Sequence, residues 1–342
     1  MAKKTRVAIN GFGRIGSSVF RVAFSEHLDD LDIVAINDPG TVEDAAFKLK
    51  YDSVYHSFPG EITVDGDNMV VDGVKIKKIT ELDPSKLPWK DLDIDVVLEC
   101  TGVFRTKEQA SMHLQAGAKT VIISAPAKGD DPVGTYVMGV NHKDLDANKE
   151  KVISNASCTT NCIAPIMKIL EETFGIEKAM MTTVHAYTAD QNLVDGSHKD
   201  PRRARSAGIN IIPTTTGAAK ATGLTIPSIQ GKFDGISIRV PVPVGSLSDI
   251  TAVLKKDATI EEINEALTKA SESEDLKGIL GVTNDPLVST DIIGNPLSCV
   301  VDLQMTNVVA GNLLKVVAWY DNEYGYSKRM VEQVIEIGKD LK

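Results

Sequence analysis

A chain of 342 residues, 42% hydrophobic and 25% charged, is long enough for about two domains, each burying its own core. Its net charge of −10 offers no general field to nucleic acid or an anionic membrane, and no apolar run approaches the ~18 residues of a membrane span. Four cysteines (Cys100, Cys158, Cys162, Cys299) make no secreted framework at this length, and MAKKTRVAINGFGRIG runs from a basic start straight into strand-like sequence, so a cytoplasmic protein with reduced thiols is expected.

The first third alternates short apolar runs with helical stretches. RVAIN (6–10), DIVAIND (32–38), DVVLECTG (95–102) and KTVIISAPA (119–127) read as strands, and a helix follows from Ile15 to about Ser25. Continuous apolar strands alternating with helices predict an α/β fold whose parallel sheet is covered on both faces. After Val152 the strands lengthen and partly alternate, at 178–188, 235–245, 248–256, 298–306 and 313–322, with a helix over Thr259–Glu272. This pattern predicts an α+β domain built on a mixed or antiparallel sheet. The boundary falls near 150–157, and an amphipathic helix closes the chain from Ser327 to Lys342.

NGFGRIG sets Gly11, Gly13 and Gly16 at G-x-G-x-x-G spacing, after a strand and opening a helix. The glycines allow a tight turn and close approach of a pyrophosphate, and the helix N-terminus offers free N–H groups. Asp38 ends the next strand, where a carboxylate accepts from a ribose 2′-hydroxyl and repels a 2′-phosphate. Dinucleotide binding, NAD over NADP, is the expectation.

SNASCTTNC (154–162) reads as a helix start rich in capping residues, with Cys158 at its head. That position favours a thiolate. Cys162 lies one turn deeper, where a packed core thiol is expected. A C-x-x-x-C pair lacks the other ligands of a zinc site and is poorly aimed for a disulfide, so no metal is expected. Among six histidines, His185 interrupts the strand MTTVHAYT and is the candidate base for Cys158. Thr214–Thr216 with Gly217 can cradle an anion by hydroxyl and backbone N–H. Arg203, in the run Arg202-Arg203-Ala204-Arg205, and Arg239, inside an apolar strand, can add charge. Each arginine is equally compatible with a structural ion pair.

Taken together, INGFGRIG, SNASCTTNC, HAYT, IIPTTTGAAKA and WYDNEYGYS resemble the phosphorylating glyceraldehyde-3-phosphate dehydrogenases, in order and over nearly the whole chain. The resemblance implies a Rossmann NAD-binding domain over 1–157, joined by a C-terminal helix over about 323–342. It implies a catalytic domain over 158–322, an S-shaped loop over about 187–210 and a homotetramer. It implies that Cys158 forms a hemithioacetal and then a thioester with glyceraldehyde 3-phosphate, that His185 is the base, and that inorganic phosphate releases 1,3-bisphosphoglycerate. By the same resemblance Thr188 and Arg239 hold the substrate phosphate, while Ser157, Arg203, Thr216 and Gly217 hold the attacking phosphate. Thr159 flanks the nucleophile, Arg14, Ile15, Asp38 and Ser124 touch the cofactor, and Asn322 takes the nicotinamide amide. The basic run becomes part of the loop, not a nucleic-acid patch. Two departures stand out. Glu81-Leu82-Asp83-Pro84 lacks an arginine that many members carry, and Gly196-Ser197 replaces a common Leu-Pro, a change reminiscent of members that also accept NADP. The alternatives are an erythrose-4-phosphate dehydrogenase, which would release a free acid by hydrolysis, and a non-catalytic binding protein on the same fold.

Overall fold

A computed structural model describes residues 3–341. Met1, Ala2 and Lys342 lie outside the described residues, and with them the first two residues of the basic start and the last of the expected C-terminal helix. The chain divides into two compact units. One holds the chain up to Tyr136, residues 142–156 and the segment from Ser327 on; the other holds residues 137–141 and 157–326. Among the described residues no helix is long and apolar enough to cross a membrane.

The first unit begins with β1 (Thr5–Asn10), α1 (Arg14–Glu26), β2 (Leu31–Asn37) and α2 (Val42–Lys50). It continues through β3 (Ile62–Asp65), β4 (Asn68–Val71), β5 (Val74–Ile79), β6 (Val96–Glu99), α3 (Lys107–Gln115), β7 (Thr120–Ile123), β8 (Gly134–Thr135) and β9 (Val152–Ser154). The strands form one sheet in the order β3-β4-β5-β2-β1-β6-β7-β9-β8. From β5 to β8 every pairing is parallel. The apolar runs read as strands are those that lie in its middle, where β6 and β7 are buried at every residue. Two-sided burial is why they carry no alternation. The sequence reading does not anticipate the antiparallel edge β3-β4-β5. Its signal is nevertheless present. Asp72 and Gly73 both take positive φ in the two-residue turn between β4 and β5, the conformation an Asp-Gly hairpin demands.

The second unit contains α4 (Cys158–Thr173), β10 (Ile176–Ala186), β11 (Ile212–Thr215), α5 (Ala218–Thr225), β12 (Phe233–Val240) and β13 (Ser246–Leu254). It continues with α6 (Ile260–Ser271), β14 (Leu280–Thr283), β15 (Cys299–Asp302), β16 (Asn307–Val309) and β17 (Leu313–Tyr320), after which α7 (Tyr324–Asp340) begins. The sheet order is β11-β12-β10-β13-β17-β15-β14, with β16 beside β17. Both parallel and antiparallel pairs occur, so the sheet is mixed. Alternation along β10 and β13 turns Ala179, Met181, Ile250, Ala252 and Leu254 to one face. There they share a core with Cys162, Ile163, Ile166, Met167 and Leu170 of α4. Met180 and Ile236 remain exposed.

The candidate active site

The site of the second unit is built where α4 begins. Ser157 is the N-cap: its Oγ accepts from the Thr160 N–H at 3.0 Å, and Cys158 is the first helical residue. The preceding Ala156 has φ of +59°, a left-handed conformation that costs a non-glycine residue about 1 kcal/mol or more. Its N–H is held by Ser154 Oγ at 3.0 Å. Ser154, Ser157 and Asn161 thus serve the turn and the helix start, which is why the stretch is polar.

Register brings the remaining groups together. In β10 and β12, His185 lies opposite Arg239, and in β11 Ile212 lies opposite Arg239 from the other side. Cys158 Sγ is 3.4 Å from His185 Nε2. His185 Nδ1 is 2.7 Å from the Ala186 carbonyl and 2.9 Å from Arg239 Nη1, and the tautomer protonated at Nδ1 donates to that carbonyl. This tautomer leaves Nε2 as a base facing the sulfur. Arg239 Nη1 lies 2.9 Å from Nδ1, 3.1 Å from the Ala186 carbonyl and 3.5 Å from Thr188 Oγ1.

The charges set the protonation states. Burial and the adjacent Arg239 cation push His185 down to about 3, so the imidazole is neutral across the working range. Burial pushes the Cys158 thiol above its ordinary value, while Arg239 and the hydroxyl and N–H of Thr159 pull it back. The site thus holds a thiol hydrogen-bonded to a neutral imidazole. This differs from the preformed thiolate expected at a helix N-terminus, because burial outweighs the helix end and Arg239 together.

The other thiols are less accessible to ionisation. Burial and Glu99 push Cys100 up to about 12. Burial and Cys299 push Cys162 well above its ordinary value, and both Cys162 and Cys299 are buried. Cys158 is partly open to solvent. Cys100 is partly open as well, but its thiol is pushed further up, so iodoacetamide is expected to label Cys158 first at neutral pH, and peptide mapping against time checks this. Arg239→Gln removes the cation that lowers the Cys158 pKa, so its labelling rate should shift to higher pH. Equal labelling of all four thiols, or a rate indifferent to Arg239, would contradict this electrostatic account.

Arg239 has no carboxylate partner within 4 Å among the described residues. Its Nε is buried without a hydrogen bond, as are Thr214 Oγ1 and Ser237 Oγ on the paired strands β11 and β12. A buried guanidinium with an unsatisfied N–H is costly unless an anion enters. Arg203 has the other fate left open by the sequence: it pairs with Asp190, and with Asp200 at 3.5 Å. Its charge still reaches Arg239 and His185. Arg205 pairs with Asp195 at 3.0 Å, so two of the three arginines of the run are tied within the loop.

Thr159 is buried, and its hydroxyl lies 2.9 Å from Tyr320 Oη. Tyr320 also bonds Thr183 Oγ1 at 2.8 Å and sets its ring against His185. Sequence reasoning missed Tyr320; its only signal is a tyrosine closing an apolar strand. Thr216 Oγ1 accepts from the Ala218 N–H at 3.2 Å, and Gly217 caps α5 with open space where a side chain would project. Ser157, Thr216 and Gly217 make no direct bond to the Cys158–His185–Arg239 cluster.

The first unit carries the glycine loop. A Cβ on Gly16 would lie 2.0 Å from the Gly11 carbonyl, and Gly11 itself has φ of +93°. Gly13 is the uncapped N-cap of α1, with nothing within 4 Å of its Cβ position and no acid in the first turn. Open space before the N-terminal end of α1 fits a pyrophosphate. Arg14 is held by Asp52 and lies over the Tyr55 ring. Asp38 accepts from the Phe12 N–H at 3.1 Å and the Gly40 N–H at 3.2 Å. Ser124 follows β7, its N–H bonded to the Glu99 carbonyl at 3.0 Å. Asn322 belongs to the other unit, where its Oδ1 accepts from the Gly245 N–H at 3.2 Å and Ser246 Oγ at 2.9 Å. Those bonds orient its Nδ2 group as the donating end. Leu82 is 74% exposed, and Ser197 is exposed on its loop.

Comparison with known proteins agrees with both units. Residues 5–107 match the glyceraldehyde 3-phosphate dehydrogenase NAD binding domain, and residues 157–322 match the C-terminal domain of the same enzymes. The chain is 52% identical over 336 residues to a glyceraldehyde-3-phosphate dehydrogenase of Zymomonas mobilis, covering 98% of this chain and 99% of that one. It is 54% identical over 327 residues to one of Thermotoga maritima, covering 96% and 97%. It is 49% identical over 339 residues to glyceraldehyde-3-phosphate dehydrogenase 2 of Bacillus subtilis, covering 99% and 98%.

Proposed function

The chain belongs to the glyceraldehyde 3-phosphate dehydrogenase family, and from that premise we propose how its residues carry the NAD-dependent oxidation of glyceraldehyde 3-phosphate. The supporting observation is the 3.4 Å pairing of Cys158 with a histidine whose other nitrogen is already committed.

Cys158 Sγ adds to the aldehyde carbon while its proton passes to His185 Nε2, and His185 returns that proton to the carbonyl oxygen, which becomes the hydroxyl of a hemithioacetal. His185 then takes the hydroxyl proton as the carbon–hydrogen bond breaks, leaving a thioester on Cys158. NAD, when bound, supplies the hydride acceptor. Inorganic phosphate attacks the thioester carbonyl, the carbon–sulfur bond breaks, and Cys158 is restored with release of 1,3-bisphosphoglycerate.

Arg239 and Thr188 take the substrate phosphate. An anion there also cancels the charge that holds His185 down, so substrate binding strengthens the base at the moment it is needed. Ser157, Arg203, Thr216 and Gly217 hold the attacking phosphate, and Thr159 keeps the Cys158 thiol in place. Cofactor binding falls to residues 1–157 with 323–342, through Gly11, Gly13, Arg14, Ile15, Gly16, Asp38 and Ser124, joined by Asn322. Catalysis falls to 158–322. The four thiols, none of them in a disulfide, suit a reducing cytoplasm. Leu193, Val194, Ile209 and Ile211, between 71% and 81% exposed on or beside the loop at 187–210, suit burial against further copies in a homotetramer.

The test is NADH formation from glyceraldehyde 3-phosphate with and without inorganic phosphate or arsenate. Sustained turnover is expected only with the oxyanion. Phosphate-independent turnover, or preference for erythrose 4-phosphate, would keep the thioester and replace the second step by hydrolysis. No turnover from folded protein would favour a non-catalytic role.

A further inference from the structure

The C-terminal ends of β1, β2 and β6 carry Asn10, Asn37 and Glu99, all buried, and no step of the proposed chemistry uses them. Glu99 receives four hydrogen bonds. Its Oε2 accepts from Asn10 Nδ2 at 2.6 Å and from His113 Nε2 at 3.1 Å. Its Oε1 accepts from the Thr101 N–H at 2.9 Å and from the Thr101 hydroxyl.

These donors are fixed from behind. Trp89 Nε1, which can only donate, lies 3.0 Å from His113 Nδ1, so Nδ1 accepts and the proton sits on Nε2, toward Glu99. The backbone of Glu81 brackets the Asn37 amide, accepting from its Nδ2 at 2.8 Å and donating to its Oδ1 at 3.0 Å. Asn37 Nδ2 also donates to Asn10 Oδ1 at 2.7 Å, which turns Asn10 Nδ2 to Glu99. Position 99 thus faces four donors and needs a side chain that only accepts, which is a carboxylate.

The place of this network in the sheet gives it a use. The chain builds from β1 out through β2 to the β3–β5 edge, then returns to β6 on the other side of β1. The crevice at such a reversal is where an open parallel sheet takes its ligand. A Cβ on Gly11 would lie 2.7 Å from the Thr101 nitrogen, so the glycine loop rests on the turn that follows Glu99. Thr101 Oγ1 accepts in turn from the Val103 N–H at 3.0 Å. A buried carboxylate stabilises a core no better than an apolar group of its volume, but it does fix an exposed turn in one place.

We propose that Glu99 is a positioning residue for the dinucleotide, holding the turn at Thr101 against the glycine loop so that the crevice is set before the cofactor enters. The inference rests on the assignment of the glycine loop to NAD. Replacing the carboxylate by an amide frees the Thr101 N–H, because Asn10 and His113 claim the one acceptor oxygen that remains.

The test is calorimetric NAD binding and NAD-dependent kinetics on the wild-type protein, Glu99→Gln, Thr101→Val and Trp89→Phe. Glu99→Gln is expected to weaken NAD and raise its KM about tenfold, the scale of losing a hydrogen bond to a charged group, with kcat at saturating NAD within about twofold. Thr101→Val keeps the side-chain shape, removes the hydroxyl between Glu99 and Val103, and is expected to weaken NAD about threefold. Trp89→Phe is the control for stability alone. It leaves a cavity beside His113, so it should lower the melting temperature while NAD affinity stays within about twofold. Wild-type NAD affinity in Glu99→Gln would overturn the proposal, as would an equal loss of affinity in Trp89→Phe, which would make the network merely structural. If Glu99→Gln does not fold, Thr101→Val decides, and unchanged NAD affinity there overturns the proposal. A wild-type protein that bound no NAD would sink the cofactor assignment first, and the proposal with it.

Discussion

Cys158→Ser is expected to lower kcat for glyceraldehyde 3-phosphate oxidation by about 10⁴-fold or more, the scale of losing a covalent nucleophile. Serine keeps the size and the contact with His185, but its hydroxyl ionises far less readily than a thiol. A neutral imidazole, with Arg239 opposing its protonation, is too weak a base to make up the difference. The cap at Ser157 does not use the sulfur, and Cys158 packs only part-buried against the core of α4, so the melting temperature should move little. NAD binding, which we assign to residues that make no contact with the sulfur, should stay as it is. Steady-state rates, a thermal melt and NAD titration on one preparation check this. Oxidation within tenfold of wild type would remove Cys158 from the chemistry.

The second large effect is expected from His185→Asn, a loss of about 10²–10⁴-fold in kcat, as for a positioned general base. The same substitution makes a prediction for stability. Folded His185 resists protonation down to about 3, whereas in the unfolded chain it takes a proton near its ordinary 6.5. Between those values the unfolded state binds the extra proton. The contribution of His185 to stability is therefore complete above pH 6.5 and is lost as pH falls toward 3. His185→Asn should flatten this part of the curve of Tm against pH while leaving Tm at neutral pH nearly unchanged. A full-strength acid limb in the variant would mean that other groups carry it, and a kcat near wild type would remove His185 as the base.

Much of the nucleophile's setting is legible in the sequence because short-range rules fix it. Capping residues before a helical apolar pattern put Cys158 at the head of α4. The position of Cys162 on that helix makes it core. Glycine spacing between β1 and α1 works the same way, since close approach and positive φ admit few other residues.

What depends on pairing across long separations is not legible. The Arg239–His185 juxtaposition follows from the register of β10 and β12, separated by more than fifty residues. The ion pairs of Arg203 need the loop folded back on itself. The protonation of Cys158 depends on burial, which a motif does not report. The edge strands β3, β4 and β5 had turn signals, but their polar outer faces gave no continuous apolar run. Lys78 donates to the backbone carbonyls of Asp38 and Gly40, a contact that exists only once the turn at 38–40 has formed.

The central claim is that the oxidised substrate sits on Cys158 as a thioester. It is tested by mixing enzyme, NAD and glyceraldehyde 3-phosphate without phosphate, quenching in acid and mapping the protein by mass spectrometry. The account predicts a burst of NADH approaching one per chain, with an acyl adduct on the Cys158 peptide that disappears when phosphate is added. A burst with no adduct on Cys158, or with the adduct on another residue, would contradict it.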